Sequence, residues 1–167
     1  PKITGGFGFK VHIGRLTWNN QFNFRYGNKI INAARLNAES MNNVNNQSRA
    51  VNWRWRVEGQ ADAKIPRAVY GSQNYNALGS DRFVEDGSYL RLKTVSLAYN
   101  LPKRWLSPLG IEWVQVYGNI QNLFTITGYS GYDPEIGSQG QSVILQGIDN
   151  YRYPSQRIYT VGLKVKF

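Results

Sequence analysis

Cysteine is absent from this chain of 167 residues, and histidine and methionine each occur once. The absence of cysteine excludes disulfide bonds, zinc–thiolate sites and a cysteine nucleophile. His12 is the only imidazole, and no nucleophile with a neighbouring base can be nominated. We therefore predict that the chain is not an enzyme and has neither catalytic nor cofactor-binding residues.

Long apolar runs are also missing. Apolar residues make up 41% of the chain, yet no uninterrupted apolar stretch is longer than three residues. A transmembrane helix needs about 20 such residues in succession. If the chain crosses a membrane, strands must cross it.

What the sequence has instead is alternation with a period of two. In the last segment, Tyr159, Val161, Leu163 and Val165 alternate with polar residues that include Lys164. Apolar groups on one face and lysine on the other suit a wall between hydrocarbon and water. Four more segments show this pattern. The five predicted strands lie near residues 3–13, 15–27, 87–101, 111–124 and 156–167.

The third strand changes phase, because Leu92 and Val95 lie on its apolar face although they are three residues apart. One extra residue near Lys93 and Thr94, as in a β-bulge, keeps both halves on the same face. The segment that follows, at 101–110, is predicted to form one helical turn.

The connections alternate between short and long. The short ones lie at 14–15 and 101–110, and the long ones at 28–85 and 125–154. Outer-membrane barrels have short periplasmic turns and long outer loops, so we predict that both long connections are outer loops. In the first of them a helical pattern places four residues on a common face, namely Ile30, Ala34, Met41 and Val44.

Five strands cannot close a barrel, since the smallest membrane barrels use about eight. The chain begins at Pro1 and shows no signal peptide, so we expect it to be part of a longer polypeptide.

The net charge of +10 first suggests nucleic-acid binding. The cations, however, are dispersed over polar positions of the alternating segments. A lumen lining, together with attraction to acidic outer-leaflet headgroups, accounts for such dispersal about as well. We predict that no nucleic acid is bound. The alternative is a soluble basic β-domain that binds nucleic acid or an acidic glycan, which requires the apolar rows to meet across a core.

Three segments resemble the C-terminal end of the SusC/RagA family of TonB-linked outer-membrane proteins. They are FVEDGSYLRLKTVSLAYNLP at 83–102, VQVYGNIQNLFTITGYSGYDPE at 114–135 and YPSQRIYTVGLKVKF at 153–167. The resemblance implies an all-β, antiparallel transmembrane barrel of about 22 strands with a plugged lumen, of which this chain supplies the last five or so.

The resemblance also implies a function. Such proteins are importers in the outer membrane of Bacteroidetes-type Gram-negative bacteria, surrounded by outer-membrane lipid and lipopolysaccharide. They take up oligosaccharides or peptides with a SusD-like surface lipoprotein and use energy from TonB, whose binding segment is not in this chain. Glycan and peptide substrates stay open at this point, as does a barrel for secretion or adhesion.

Rigid scaffolds commonly bind their ligands through loops, so aromatic residues of the long connections are the candidates for contacting substrate or lipoprotein. The alternative is that they pack the loops together. The candidates are Trp53, Trp55, Tyr70, Tyr75, Tyr129, Tyr132, Tyr151 and Tyr153.

Two further candidate sites are a calcium site and the chain end. Asp133 and Glu135, with Asp149, offer oxygen ligands for a structural Ca²⁺, although their spacing is not that of an EF-hand and a turn at Asp-Pro is the simpler interpretation. Phe167 is expected to be a lipid-facing ring at the periplasmic girdle. The resemblance implies that this terminal aromatic is also a signal for barrel assembly.

Overall fold

The computed structural model describes residues 1–42, 44–69, 78–135 and 147–167. It divides the chain into two compact units. The wall unit consists of Pro1–Asn28, Gly87–Gly128 and Pro154–Phe167. The loop unit consists of Lys29–Asp86 and Tyr129–Tyr153.

Strands predominate among the described residues. In chain order the elements are β1 (Ile3–Ile13), β2 (Leu16–Tyr26), β3 (Lys29–Asn32), α1 (Ala33–Glu39), β4 (Val84–Asp86), β5 (Tyr89–Asn100), α2 (Lys103–Leu106), β6 (Trp113–Thr127), β7 (Ile148–Asp149) and β8 (Ile158–Lys166). Short 3-10 helices occupy Arg49–Trp53, Asp81–Phe83 and Ser107–Leu109. No helix in the described ranges is long and apolar enough to cross a membrane.

The wall unit is a five-stranded sheet in the order β1-β2-β5-β6-β8. Every neighbouring pair is antiparallel, so the sheet is a meander in which the loop unit is inserted between β2 and β5 and between β6 and β8. The first hairpin turns at Gly14, whose φ of 58° suits the tight two-residue turn there. The five strands overlap the ranges predicted from the alternation, and the bounds of the last four differ from the prediction by one to three residues.

The bulge predicted at Lys93 is confirmed. Leu92 pairs with Phe22 and Thr94 pairs with Gln21, so Lys93 has no opposite residue on β2. On the other side of β5, Leu92 faces Phe124 and Thr94 faces Gln121. Two residues of β6 therefore stand opposite Lys93.

One of these two residues is Asn122, which adopts a φ of 53°. Asparagine is among the few non-glycine residues that tolerate this left-handed conformation. Its Nδ2 donates a hydrogen bond to the carbonyl of Gln156 at 2.9 Å. Beyond the bulge β6 continues to Thr127 and not to 124 as predicted, because Thr125 and Thr127 still pair with Arg91 and Tyr89.

The register places the apolar residues of all five strands on one face. Trp18, for example, is flanked by Val11 on β1 and Leu97 on β5. Aromatic pairs reinforce this face: the rings of Phe7 and Phe22 stack at 4.9 Å, an arrangement worth about 1 kcal/mol beyond area burial.

Asn20 is the only polar residue within the apolar row of β2. It is 5% exposed, and its Oδ1 accepts a hydrogen bond from Trp18 Nε1 at 3.0 Å. The amide is thereby satisfied within the apolar surface, which limits the cost of placing it there.

The loop unit contains a small three-stranded sheet in which β3 pairs antiparallel with β4 and parallel with β7. Helix α1 follows β3 directly, and Asn32 caps it by accepting a hydrogen bond from the Arg35 N–H at 2.9 Å. A separate small core joins Met41, Val51 and Ile65. The long connections predicted as loops are therefore partly regular structure.

The predicted helical face in the first long connection is wrong. Ile30 lies on β3, Ala34 lies in α1, and Val44 is 88% exposed. The helix ends after Glu39 because Met41 takes a left-handed φ of 52°, which turns its side chain toward Val51 instead of continuing the helix.

Candidate transmembrane wall and loop surface

The strands of the wall unit have the length that a membrane requires. Strands β1 and β2 contain 11 residues each, which at about 3.4 Å per residue is roughly 37 Å. A tilt of about 45° reduces the height to roughly 26 Å, close to the apolar band of outer-membrane barrels at about 25 Å.

The apolar face is uncovered. Val161 is 82% exposed, Leu163 66% and Val116 37%. Phe22 is half-buried, and its ring stacks on Phe7 of the neighbouring strand. The soluble-domain alternative requires these rows to meet inside a core, and they do not meet. An exposed apolar face that spans five strands is a surface for lipid or for a partner.

The opposite face carries a network of polar side chains that links neighbouring strands. Ser96 Oγ donates to Asn119 Oδ1 at 3.0 Å, and Gln115 Nε2 donates to Asn100 Oδ1 at 3.0 Å. His12 Nδ1 lies 3.0 Å from Thr17 Oγ1, so the only histidine is one more polar residue of this face.

The short connection between β5 and β6 contains one buried and one exposed apolar side chain. The predicted helical turn is present as α2, which buries Leu106 and exposes Trp105 (55%). Near its end Lys166 Nζ lies 2.7 Å from Glu112 Oε2. Phe167 follows β8 and is 87% exposed, and its role in assembly stays a prediction.

The loop unit is organised around a charged cluster. Glu39, 5% exposed, accepts hydrogen bonds from Arg35 Nε at 2.9 Å and from the guanidinium of Arg82. Arg35 also reaches Glu85 Oε1 at 3.0 Å. Both guanidinium groups lie over the buried ring of Phe83, at 6.0 and 5.0 Å. The cluster therefore joins α1 to the segment that leads into β4.

Glu85 extends the cluster to a third segment. It accepts hydrogen bonds from the Ser130 N–H at 2.9 Å and the Ser130 hydroxyl at 2.8 Å, and from Asn32 Nδ2 at 3.3 Å. Burial alone would raise the pKa of Glu85, but the bonds from Ser130, Arg35 and Asn32 outweigh it and lower the pKa. The pKa of Arg35 is raised, first by its hydrogen bond to Glu39 and against the effect of burial.

Tyr129 is buried and hydrogen-bonded within the loop unit. It is 6% exposed, and its hydroxyl donates to Asp149 Oδ2 at 2.6 Å. Burial, followed by the bond to Asp149, raises the pKa of Tyr129 far above its ordinary value. Its hydroxyl is thus engaged inside the unit, as is that of the exposed Tyr151, which donates to the carbonyl of Ala34 at 3.4 Å.

The other candidate aromatics are more accessible. Tyr132, Tyr151 and Tyr153 are exposed by 88, 63 and 76%. Tyr70 and Tyr75 lie outside the described residues.

Trp53 and Trp55 flank a bridge in which Arg54 pairs with Ile65. Trp53 is 56% exposed and Lys64 Nζ lies 6.0 Å from its ring, while Arg67 lies 5.9 Å from the ring of Trp55. Each of the two indole rings therefore has a cation close to it.

The calcium candidates form a turn. Asp133 is 2% exposed and its Oδ1 accepts a hydrogen bond from the Glu135 N–H at 2.9 Å, the geometry by which aspartate stabilises a turn. Asp149 is bonded to Tyr129. Within the described part of the chain no three acidic or histidine side chains group around a metal position, so the calcium site stays a prediction.

Sequence reasoning missed the charged cluster. The spacing of Arg35 and Glu39 by four residues was a visible helical signal. Arg82 and Glu85 are more than 40 residues away, and nothing local in the sequence links them to α1. Both residues lie in the predicted outer loop 28–85, whereas Glu85 belongs to β4.

Comparison with known proteins places these features in a family, although no family model matches the chain. The TonB-dependent receptor P3 of Formosa agariphila is 33% identical over 171 residues, covering 100% of this chain and 16% of the receptor. The receptor P26 of the same organism is 32% identical over 170 residues, covering 100% and 17%. SusC of Bacteroides thetaiotaomicron is 33% identical over 90 residues, which cover 53% of this chain and 8% of SusC.

Solved structures of the same kind of protein have a similar fold. The RagAB peptide importer in its closed-closed state matches with a TM-score of 0.79 and 25% identity over 98% of this chain and 17% of that chain. Its open-open state matches with a TM-score of 0.78. The chain thus spans only about a sixth of the relatives it matches. It belongs to the TonB-dependent receptors of the SusC and RagA kind, as a C-terminal segment of their outer-membrane β-barrel.

Proposed function

We propose that this segment supplies wall and outer loops to an importer that takes up oligosaccharides or peptides with a SusD-like surface lipoprotein and is driven through TonB. The observation that carries the proposal is the two-faced sheet, apolar on one side and polar on the other, in a chain similar over its whole length to TonB-dependent receptors. The relatives are receptors and transporters and not enzymes.

Both substrate classes have support. A peptide is favoured by the fold match to a peptide importer. An oligosaccharide is compatible with the match to SusC and with the exposed indole of Trp53, since a flat aromatic face packs well against the apolar face of a sugar ring. The same ring also suits peptide side chains. We place the receptor in the outer membrane of a Bacteroidetes-type bacterium.

Trp53 and Trp55 are the residues that we propose for contact with substrate or lipoprotein. The cations near their rings, Lys64 and Arg67, would favour partners that also carry negative groups. The test uses the full-length receptor and its native lipoprotein, with uptake of labelled oligosaccharides and peptides and co-purification of the lipoprotein as readouts.

Trp53→Ala should weaken uptake or lipoprotein binding by roughly fivefold, the equivalent of about 1 kcal/mol for one aromatic contact. Trp105→Ala is the matched control, because Trp105 is equally exposed but lies in a short connection of the wall unit. Equal effects of the two substitutions, or none, would contradict the assignment of the Trp53 surface.

The coupling to TonB has its own test. Deletion of TonB should abolish uptake while leaving the receptor assembled in the membrane. Undiminished uptake without TonB would favour a passive pore, and a receptor that transports nothing would favour secretion or adhesion.

A further inference from the structure

The apolar face of the wall unit contains a groove beside Gly118. Its volume is about 220 Å³, which exceeds the roughly 150 Å³ of an apolar cavity that binds benzene. Four neighbouring strands, β2, β5, β6 and β8, contribute to it. The side chains of the apolar face that line it are Leu16, Leu97, Tyr99, Val116 and Val161.

The fold itself does not require a glycine at position 118. Gly118 has no left-handed φ, and a Cβ added there would meet only the Thr160 carbonyl oxygen, at 3.9 Å. At Gly162, by contrast, a Cβ would lie 2.5 Å from the ring of Tyr117, so a side chain of this chain fills that space. A glycine inside a strand often marks a place where another group approaches closely. Over Gly118 that group comes from outside the described residues.

The groove lies in the periplasmic half of the membrane. Outer-membrane barrels have their short turns on the periplasmic side, and Leu16 and Tyr99 lie next to the two short connections of this chain. Gly118 is five residues from Trp113, where β6 begins, which is about 17 Å along the strand and roughly 12 Å in depth at a tilt of about 45°. The groove therefore extends from the periplasmic interface to about the midplane, the depth of one lipid leaflet.

Three cations follow at the periplasmic end of this groove. Arg15 directly precedes Leu16 and is exposed. Lys103 and Arg104 are exposed residues of α2, which begins four residues after Tyr99. Positive charge therefore lies at the level of the headgroups of the periplasmic leaflet.

No carboxylate among the described residues of the wall unit neutralises these cations. The unit holds 11 Lys and Arg residues and a single acidic residue, Glu112, whose Oε2 lies 2.7 Å from the Nζ of Lys166. Trp105, in the same connection, is 55% exposed, as is typical of aromatic residues at headgroup level. An anionic headgroup is the complementary group at this depth.

We propose that the groove beside Gly118 is a binding site for one anionic phospholipid of the periplasmic leaflet, with an acyl chain in the groove and the phosphate at Arg15 and Lys103. The site depends on the assignment of the wall to an outer-membrane barrel and is independent of the imported substrate.

Groove and cations have different roles in this site. Because lipid tails are as apolar as the side chains of the wall, the groove offers no hydrophobic driving force; it holds the acyl chain through additional van der Waals contacts. The cations select the headgroup, and each cation near an anionic membrane surface changes the affinity by roughly fivefold. Loss of the groove should therefore remove the ordered chain, whereas loss of the cations should remove the preference between headgroups.

The test is photolabelling of the full-length receptor in vesicles that mix phosphatidylglycerol with zwitterionic phosphatidylethanolamine. In separate samples one of the two lipids carries a diazirine on its acyl chain, and peptide mass spectrometry identifies the labelled residues. We expect phosphatidylglycerol to label Tyr99 and Val116 at least roughly fivefold more than phosphatidylethanolamine does. The two lipids should label Val11 equally, since Val11 is exposed on the apolar face but lies outside the groove.

Charge variants test the headgroup contact. Arg15→Gln combined with Lys103→Gln should bring the labelling ratio of the two lipids at Tyr99 close to one. Both residues lie outside the strands, so the barrel should still assemble. Lys10→Gln is the matched control, because Lys10 is an exposed cation of the polar face, and it should leave the ratio unchanged.

A groove variant tests the seat of the acyl chain. Gly118→Leu should lower the labelling of Tyr99 by phosphatidylglycerol to the level at Val11. Val165→Phe adds the same number of carbon atoms on the apolar face outside the groove and should not lower it.

Three results would overturn the site: equal labelling of the groove by the two lipids, a preference that survives Gly118→Leu, or preferential labelling by diazirine-bearing lipopolysaccharide tested in parallel. Uptake does not enter these measurements, so such a result would leave the proposed import function standing.

Discussion

The effect of Val161→Arg on stability distinguishes a membrane-spanning wall from a soluble sheet. Val161 lies one residue from the centre of β8, is 82% exposed and pairs with Gly118, which has no side chain to clash with a larger neighbour. In a soluble domain an arginine at so exposed a position would change the free energy of unfolding by no more than about 0.5 kcal/mol.

In a bilayer the same substitution has a large effect. An arginine on the lipid face near the midplane of a membrane barrel costs about 2–4 kcal/mol, which at 3 kcal/mol is roughly a 150-fold change in the folding equilibrium. Thr160→Arg is the matched control, because Thr160 is the preceding residue of β8, is also exposed and lies on the polar face. Its cost should stay within about 0.5 kcal/mol.

The assay is denaturant titration of the full-length receptor in lipid vesicles, with the shift in electrophoretic mobility of the folded barrel as the signal. We expect Val161→Arg to be the more destabilising substitution by at least about 1.5 kcal/mol. Equal midpoints for the two variants would refute the assignment of the apolar face to lipid.

Three other predictions concern the chain end and the loop unit. Phe167→Ala should lower the amount of receptor assembled in the outer membrane more than Tyr159→Ala does, as measured by surface labelling. Glu39→Gln should destabilise the loop unit by about 1–3 kcal/mol, because two guanidinium groups lose a buried carboxylate, and faster limited proteolysis would report it. The loop unit should lose protease resistance as the pH falls through the lowered pKa of Glu85. It should lose resistance again as the pH rises above about 10, because the phenol of Tyr129 then ionises in the unfolded chain while its raised pKa keeps it protonated in the folded unit.

Each of these has a clear contrary result. Equal assembly of Phe167→Ala and Tyr159→Ala would leave Phe167 as an ordinary lipid-facing ring. Unchanged proteolysis of Glu39→Gln would mean that the cluster is not needed for the stability of the unit. Replacing Tyr129 with Phe should abolish the loss of resistance at high pH, and persistence of that loss would assign it to another group.

The strands of the wall unit could be predicted from the sequence because the signal for them lies in neighbouring residues. Alternation with period two defines both faces of a strand, and the phase change between Leu92 and Val95 identified the bulge at Lys93. The bulge at Asn122 could not be recognised from the alternation of apolar and polar residues. Relative to β2, β6 carries two extra residues there, and a shift of two leaves the alternation intact.

The loop unit could not be predicted because its stabilising contacts are distant in sequence. Glu39 meets Arg82 across 43 residues, and Glu85 meets Ser130 across 45. The chain turns away from α1 at Met41, which has a left-handed φ although it is not a glycine. No glycine or proline therefore marks this turn in the sequence. The candidate aromatics were identifiable by type, but the sequence does not show that Tyr129 is buried and hydrogen-bonded to Asp149, 20 residues away.

Contact of the apolar face with lipid is tested most directly by an accessibility scan along β8, with single nitroxide labels in the full-length receptor in lipid. We predict that labels at Val161, Leu163 and Val165 collide mainly with lipid-soluble oxygen. Labels at Thr160 and Lys164 should be shielded from oxygen in comparison. Uniform accessibility along the strand, or preference of the Val161 label for a water-soluble relaxing agent, would show that this face of β8 does not contact lipid.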